Sequence, residues 1–287
     1  MKNAKLFMVL SMTIFGSIAL FVKNINLSSA EIALFRSLIA IILIGTVLWV
    51  TRQKIEIKNI KKDVLLLFLS GAVMGFNWIF LFEAYNFTSV SVATLSYYFS
   101  PVLVVAFSSI FFKEKLTLKT VICFIFALIG MVLIIGINNL SLGVGSAKGV
   151  FLGLIAALLY AVVVLLNMFI KNVSDIQRTF LQFLSAAVVL LPYVLFTGGI
   201  NLLSLNTKGI ISLLIVGIVH SGICYCLYFA SIKRLKGSQV AVLSYIDPLV
   251  AVIISFLFLK EPFTLTQALG GLLILLSSFF INKNRAE

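Results

Sequence analysis

The stretch Ser244-Tyr245-Ile246-Asp247-Pro248 puts a carboxylate directly before a proline, in the middle of a long apolar run. A charge at the centre of a membrane helix costs roughly 2.5–3.5 kcal/mol on insertion scales, so one that persists there invites a functional reading. Proline has no amide hydrogen and leaves the carbonyl four residues earlier, that of Ser244, without its helical donor. Asp247 therefore lies beside freed backbone acceptors. One reading makes it a site for a proton or a substrate amine; the competing one makes it a brace for the helix break. Ser244 is three residues away and shares its face. An earlier stretch, Tyr97-Tyr98-Phe99-Ser100-Pro101, repeats the arrangement, with Ser100 in place of the aspartate and Tyr97 on its face. These two faces are expected to line a cavity. Tyr98 and Tyr245 lie about 200° around an unbroken helix from Ser100 and Asp247, and are expected to pack.

Three other ionisable groups fall within apolar runs. His220, the sole histidine, has a side-chain type with an unperturbed pKa of about 6.5, suited to relaying protons; a neutral imidazole bonded between helices is the equal alternative. Arg36 lies eight residues into its run, about 12 Å deep at 1.5 Å per residue. It cannot shed its charge, so it needs a partner or a wet cavity. Glu83 is the expected partner, in a pair that ties helices together, and binding of a substrate carboxylate is the alternative. Trp78 and Tyr225 are candidates for a wall that receives organic cations or aromatic solutes. Glu114 and Glu261 each follow a lysine at the edge of an apolar run, where they are expected to set turns and cap helices.

Positioning such residues is the work of long apolar helices. The chain has 287 residues, 62% hydrophobic and 11% charged, where soluble proteins are about a quarter charged. A spanning helix needs about 20 mainly apolar residues. On that measure ten segments emerge: 5–22, 28–50, 64–86, 90–112, 117–137, 149–170, 175–196, 208–231, 237–259 and 265–282. The fold class is an all-α integral membrane protein, and the first segment is read as a retained span, not a cleaved leader. Cys123, Cys224 and Cys226 fall inside apolar runs, and Cys224-x-Cys226 is too closely spaced for a standard zinc site. No metal and no cofactor are expected.

The formal charge of +13 is topological and does not mark a nucleic-acid partner. With the N-terminus in the cytoplasm, 17 of the 22 lysines and arginines fall in inner loops or tails, and Lys23, Lys148, Lys208 and Lys260 outside; Arg36 lies within a span. Such a bias fixes orientation and sets both termini in the cytoplasm.

Residues 82–118 laid over 229–265 without a gap match at 11 of 37 positions, among them Ser91/Ser238, Tyr98/Tyr245, Pro101/Pro248, Ser108/Ser255, Lys113/Lys260 and Glu114/Glu261. Ser28-x-x-Glu31 and Ser174-x-x-Gln177 open the second and seventh segments as capping boxes, and Thr264-x-x-Gln267 opens the tenth. Gly71/Gly75 and Gly149/Gly153 are spaced for close helix approach. The domain division is therefore residues 1–140 and 141–287. Five spans per repeat is odd, so the second repeat enters the membrane upside down. Interrupted helices at matched places in inverted repeats point to a binding site at mid-depth.

With the Lys-Glu-Lys-Leu-Thr and Lys-Glu-Pro-Phe-Thr turns after the proline-broken helices, the chain resembles the EamA-like branch of the drug/metabolite transporter superfamily over its whole length. The resemblance implies secondary active transport, usually export, of small metabolites, amino acids or drug-like solutes through a central cavity in the cytoplasmic membrane. The residues themselves suggest alternating access driven by protons or another gradient, by a monomer or homodimer in the bilayer. A lipid or lipid-linked precursor flippase or scramblase is the alternative. An intramembrane enzyme would want paired aspartates or a nucleophile beside a base; the sequence has one mid-membrane aspartate and no Ser-His or His-Glu-x-x-His pattern.

Overall fold

The computed structural model describes residues 2–53, 60–61, 63–111, 118–135, 144–232, 234–235, 240 and 243–286. Among them the secondary structure is helical throughout: α1 Lys2–Gly16, α2 Ile18–Val22, α3 Ser29–Val50, α4 Val64–Phe87, α5 Val90–Tyr97, α6 Ser100–Phe111, α7 Leu118–Ile135, α8 Val144–Phe169, α9 Asp175–Thr197, α10 Thr207–Ile215, a π-helical stretch Val216–Ile223, α11 Cys224–Ile232, α12 Ile246–Leu257 and α13 Leu265–Ala286. Seven segments are long and apolar enough to cross a bilayer, and three shorter apolar helices, Val121–Leu133, Ile246–Leu257 and Leu265–Ser277, fall where the remaining spans are expected. The protein is an all-α membrane protein of two inverted five-helix repeats.

The helix starts form where short side chains satisfy free amides. The Ser28 hydroxyl accepts from the Glu31 amide while Glu31 accepts from Ser28, and Ser174 with Gln177 does the same. Thr264 and Gln267 exchange equivalent bonds at 3.0 and 3.2 Å. Both proline motifs break their spans as expected. α5 ends at Tyr97 and α6 restarts at Ser100, so Pro101 occupies the first turn, where its missing donor costs nothing. Pro248 holds the same place in α12.

Two further breaks lie away from the prolines. The first span divides at Ser17, whose hydroxyl turns back to the Ile14 carbonyl at 2.8 Å. The eighth span carries the π stretch, in which Ser221 Oγ donates to the Val216 carbonyl five residues back at 3.0 Å. Such insertions cost helix stability and recur at functional sites.

Helix packing follows an exchange of the two halves. α4 packs on α8 as α1 packs on α11; α4 on α9 as α3 on the π stretch; α5 and α6 on α8 as α12 on α1. α3 with α9, α5 with α12 and α7 with α13 are each their own counterparts. That is the contact pattern of a pseudo-twofold axis. Gly71 lies so close to α9 that an added Cβ would stand 2.4 Å from the Gln182 carbonyl, which is the close approach its spacing predicts.

Bonds between distant segments identify the two ends of the bundle. At one end Lys23 pairs with Glu261, and the Asn201 amide donates to Glu31 Oε1 at 2.7 Å. At the other, the Asn172 amide and side chain both donate to Asp63 Oδ2, at 3.1 and 3.2 Å. The first span thus runs toward the Lys23–Glu261 end, whereas α8, its counterpart, runs from Gly149 beside Thr88 at that end to Asn172 at the opposite one. The repeats are antiparallel.

Candidate functional site

Two cavities lie at the boundary between the repeats, and a third adjoins one of them within the first repeat. The largest, about 330 Å³, is bounded by Met12, Val104, Val164, Tyr228, Ser244 and Ser100. A middle cavity of about 150 Å³ is bounded by Arg36, Trp78, Phe82, Tyr85, Thr94 and Asp247. A third, about 290 Å³, opens beside Lys23 and Asn86 at the Lys23–Glu261 end and shares Phe82 and Tyr85 with the middle one. Tyr97, Tyr98, Tyr160, Tyr225 and Asp247 border both of the first two cavities and form the partition between them.

The proline breaks place this partition. Tyr98 falls in the turn between α5 and α6, and its hydroxyl donates to Asp247 Oδ2 at 2.7 Å, with the Ser244 carbonyl 3.5 Å away. The carbonyl freed by Pro248 therefore meets a hydroxyl from the other repeat. Expecting Tyr98 to pack away from the site extrapolates an ideal helix through a break that resets the face. Ser100, Tyr97 and Ser244 do line the large cavity. The backbone of the first span closes in from behind: an added Cβ at Gly16 would stand 2.4 Å from the Asp247 carbonyl. Side chains larger than hydrogen at that position would displace the aspartate.

Arg36 does not pair with Glu83. Glu83 instead accepts from Ser29 Oγ at 2.6 Å and Asn86 Nδ2 at 3.3 Å, nearer the end of the bundle. Arg36, 3% exposed, donates from Nε to Ser221 Oγ at 3.0 Å. Its guanidinium lies 4.4 Å from the centre of the Trp78 ring and 5.4 Å from that of Phe82. Among the described residues it forms no ion pair, and it borders the middle cavity. The π stretch is what turns Ser221 toward α3. On the matching side of the pseudo-axis the Gln182 amide donates to Ser70 Oγ at 2.9 Å and Asn167 Oδ1 at 2.7 Å, so the charge is confined to one repeat.

His220 lies outside both inner cavities. Its Nε2 is 3.0 Å from Ser17 Oγ, its Nδ1 3.3 Å from the Ile215 carbonyl, and its ring packs against Phe21 at 5.2 Å. That is the arrangement of a tie between the eighth span and the break in the first. Trp78 packs on Phe183 at 5.1 Å, and Tyr225 meets Phe15 and Phe183 edge-on at 5.1 and 5.5 Å. Tyr160, which meets Tyr97 at 5.5 Å, has no distinguishing neighbour in the sequence.

Glu261 closes its own turn through its amide, which donates to the Ser255 carbonyl at 3.0 Å. Its carboxylate does more than set that turn. It accepts from the Val90 amide at 2.7 Å, from Ser255 Oγ and from Lys23, so it caps the proline-broken helix of the other repeat. Glu114 lies outside the described residues.

Ten helices in two inverted repeats, closing on a buried cavity with a charge at each side, define a membrane transporter. The chain belongs to the EamA-like transporter family, which it matches over residues 2–136 and again over 147–283. It is 36% identical over 274 residues to the uncharacterized transporter YxxF of Bacillus subtilis (strain 168), covering 95% of this chain and 87% of that one. It is 27% identical over 281 residues to an uncharacterized transporter of Archaeoglobus fulgidus, covering 96% and 94%. A protein of known crystal structure superposes with a TM-score of 0.63 at 16% identity, over 100% of this chain and 99% of the other, a likeness of fold.

Proposed function

We propose that the protein is a secondary transporter that exports small polar or amphipathic solutes from the cytoplasm by alternating access, coupled to protons through Asp247, without enzymatic chemistry. The observation that carries this reading is the position of Asp247. It is contributed by a broken helix, borders two cavities that lie toward opposite ends of the bundle, and touches the other repeat through Tyr98. A carboxylate so placed changes neighbours whenever the repeats rock, so its protonation can be linked to which side is open. The lysine and arginine bias of the loops supports cytoplasmic termini. A cavity of about 330 Å³ sits at the lower end of the range of roughly 300–1,000 Å³ for small-molecule pockets, which favours a solute over a lipid. His220, held by Ser17 and Ile215, acts as a helix tie in this reading.

Asp247→Asn keeps the shape of the side chain and can still accept from Tyr98. The variant is expected to fold and to lose the pH dependence of uphill flux in proteoliposomes. Flux that tracks pH in the variant as it does in the parent protein would remove Asp247 from coupling.

A further inference from the structure

We infer that a groove between the end of α3 and the start of α9 binds an anionic phospholipid, with Arg52 on its phosphate and the seam between the helices around an acyl chain. The groove is separate from the cavities between the repeats and independent of the solute they carry.

Its volume is about 640 Å³. α3 starts beside Asn201 at the Lys23–Glu261 end, and α9 starts beside Asn172 at the other, so the groove falls at the Asp63–Asn172 end. Gly45, Leu48, Trp49 and Arg52 line it at spacings of three and four residues, one face of α3, and Phe180 of α9 stands opposite. Gly45 keeps the seam open, since an added Cβ there would stand 3.2 Å from the Phe180 ring. From Gly45 to Arg52 the groove runs for about 10 Å. Its floor is apolar, and the polar groups gather at its end: the Arg52 guanidinium, the Trp49 indole N–H and the Gln53 amide.

All three of those groups donate hydrogen bonds. Among the described residues no carboxylate lines the groove and Arg52 forms no ion pair. An apolar slot closed by a cation where a span ends matches a lipid, with the chain in the slot and the phosphate at its mouth. Trp49 is 80% exposed, a costly place for an indole in water and the preferred one at the level of lipid headgroups. A second copy docked here about a twofold axis would present the same face, so arginine would meet arginine.

The turn that carries Arg52 is built at a cost. α3 ends with the Gln53 amide donating to the Leu48 carbonyl at 3.0 Å, and Arg52 has φ of 54°. Glycine is the usual residue in that left-handed position. The other repeat closes its turn with glycine: the Gly199 amide donates to the Val194 carbonyl at 2.8 Å, and Gly199 has φ of 73°. Laid on α3 from the shared start Ser28/Ser174, α9 has Leu191, Leu195 and Gly198 where α3 has Gly45, Trp49 and Arg52. α3 in turn has the buried Leu34 where α9 has Phe180. The second repeat thus keeps the turn and lacks the slot, the indole and the charge. These features stand only at the end that the lysine and arginine bias assigns to the cytoplasmic leaflet, where basic pockets between helices take anionic headgroups. Because α3 and α9 belong to different repeats, a lipid seated on both stabilises the folded pair.

The test uses the purified full-length protein in detergent micelles. It is titrated separately with phosphatidylglycerol, with phosphatidylcholine and with glycerol phosphate, which has the anion and no chains. The readouts are the unfolding midpoint and the lipid retained in native mass spectrometry. Phosphatidylglycerol is expected to raise the midpoint and to stay bound about fivefold more tightly than phosphatidylcholine, while glycerol phosphate does nothing. Arg52→Gly installs the residue of the matching turn. It should fold with no loss of midpoint in detergent alone, and bind phosphatidylglycerol about fivefold more weakly. Lys171→Gln removes one positive charge at the same end, from an exposed position outside the groove, and should change neither readout. Equal retention of the two lipids, or equal responses from the two variants, would overturn the site. A shift produced by glycerol phosphate would make it a site for soluble anions, and a dimer lost in Arg52→Gly would make it a contact between copies; either result overturns the lipid.

Discussion

Arg36→Met is expected to make the protein more stable and inactive at once. Burying a guanidinium without a counter-charge carries a desolvation cost of several kcal/mol. Against it stand a charged hydrogen bond to Ser221, worth about 1.5–3 kcal/mol, and stacking on Trp78, worth up to about 2 kcal/mol. Methionine removes the cost, fills similar space beside Trp78 and Phe82, and strands no acceptor, because the Ser221 hydroxyl already donates to the Val216 carbonyl. Replacing such a buried charge by an apolar side chain of similar volume is expected to stabilise, read as a higher unfolding midpoint in detergent. Flux of any carboxylate solute should fall by at least a hundredfold. An arginine that merely joined helices would give the opposite sign: its removal would lower the midpoint.

Glu261→Ala is expected to loosen the Lys23–Glu261 end. That carboxylate joins the first, fourth and ninth spans through Lys23, the Val90 amide and Ser255, and Ser255 Oγ in turn accepts from the Ser91 amide at 3.3 Å. Lys23 is partly exposed and contributes about 0–1 kcal/mol. The charged bond to the Val90 amide is drier and contributes about 1.5–3 kcal/mol. A loss of about 2–3 kcal/mol in stability is therefore expected. The second readout is access: a cysteine placed at Thr94, in the middle cavity, should react at least tenfold faster with a thiol reagent applied from that end. Unchanged access would make Glu261 a simple helix cap. Ser91, Ser255 and Glu261 recur in the other repeat as Ser238, Ser108 and Glu114, so the residues of this latch were copied along with the helices it joins.

Features written into local chemistry were legible in the sequence. Ser28, Ser174 and Thr264 cap helices because their partners lie three residues on, and Pro101 and Pro248 stand in the first turns of the helices that restart after each break. The antiparallel repeat followed from counting spans and matching Lys260-Glu261 to Lys113-Glu114. The cavity faces of Tyr97, Ser100 and Ser244 followed from spacing alone. Contacts between distant spans were not legible. Glu83 was the nearest acid to Arg36 in depth, yet Ser29 holds it at the bundle end, and Arg36 turns to Ser221 because a π stretch rotates that serine toward it. Tyr98 was misjudged because helical angles lose meaning across the break that Pro101 creates. Tyr160 and the Ser17–His220 tie depend on which helices meet, and periodicity within one helix carries no record of that.

The central claim is that the cavity between the repeats is reached in turn from both sides of the membrane. A cysteine at Ser244, on the cavity wall, in protein whose three native cysteines are replaced by alanine, tests it with a membrane-impermeant maleimide in proteoliposomes. Labelling from the outside and, in a parallel sample, from the lumen is the predicted result. Labelling from one side only, under every solute and pH condition that supports flux, would contradict it.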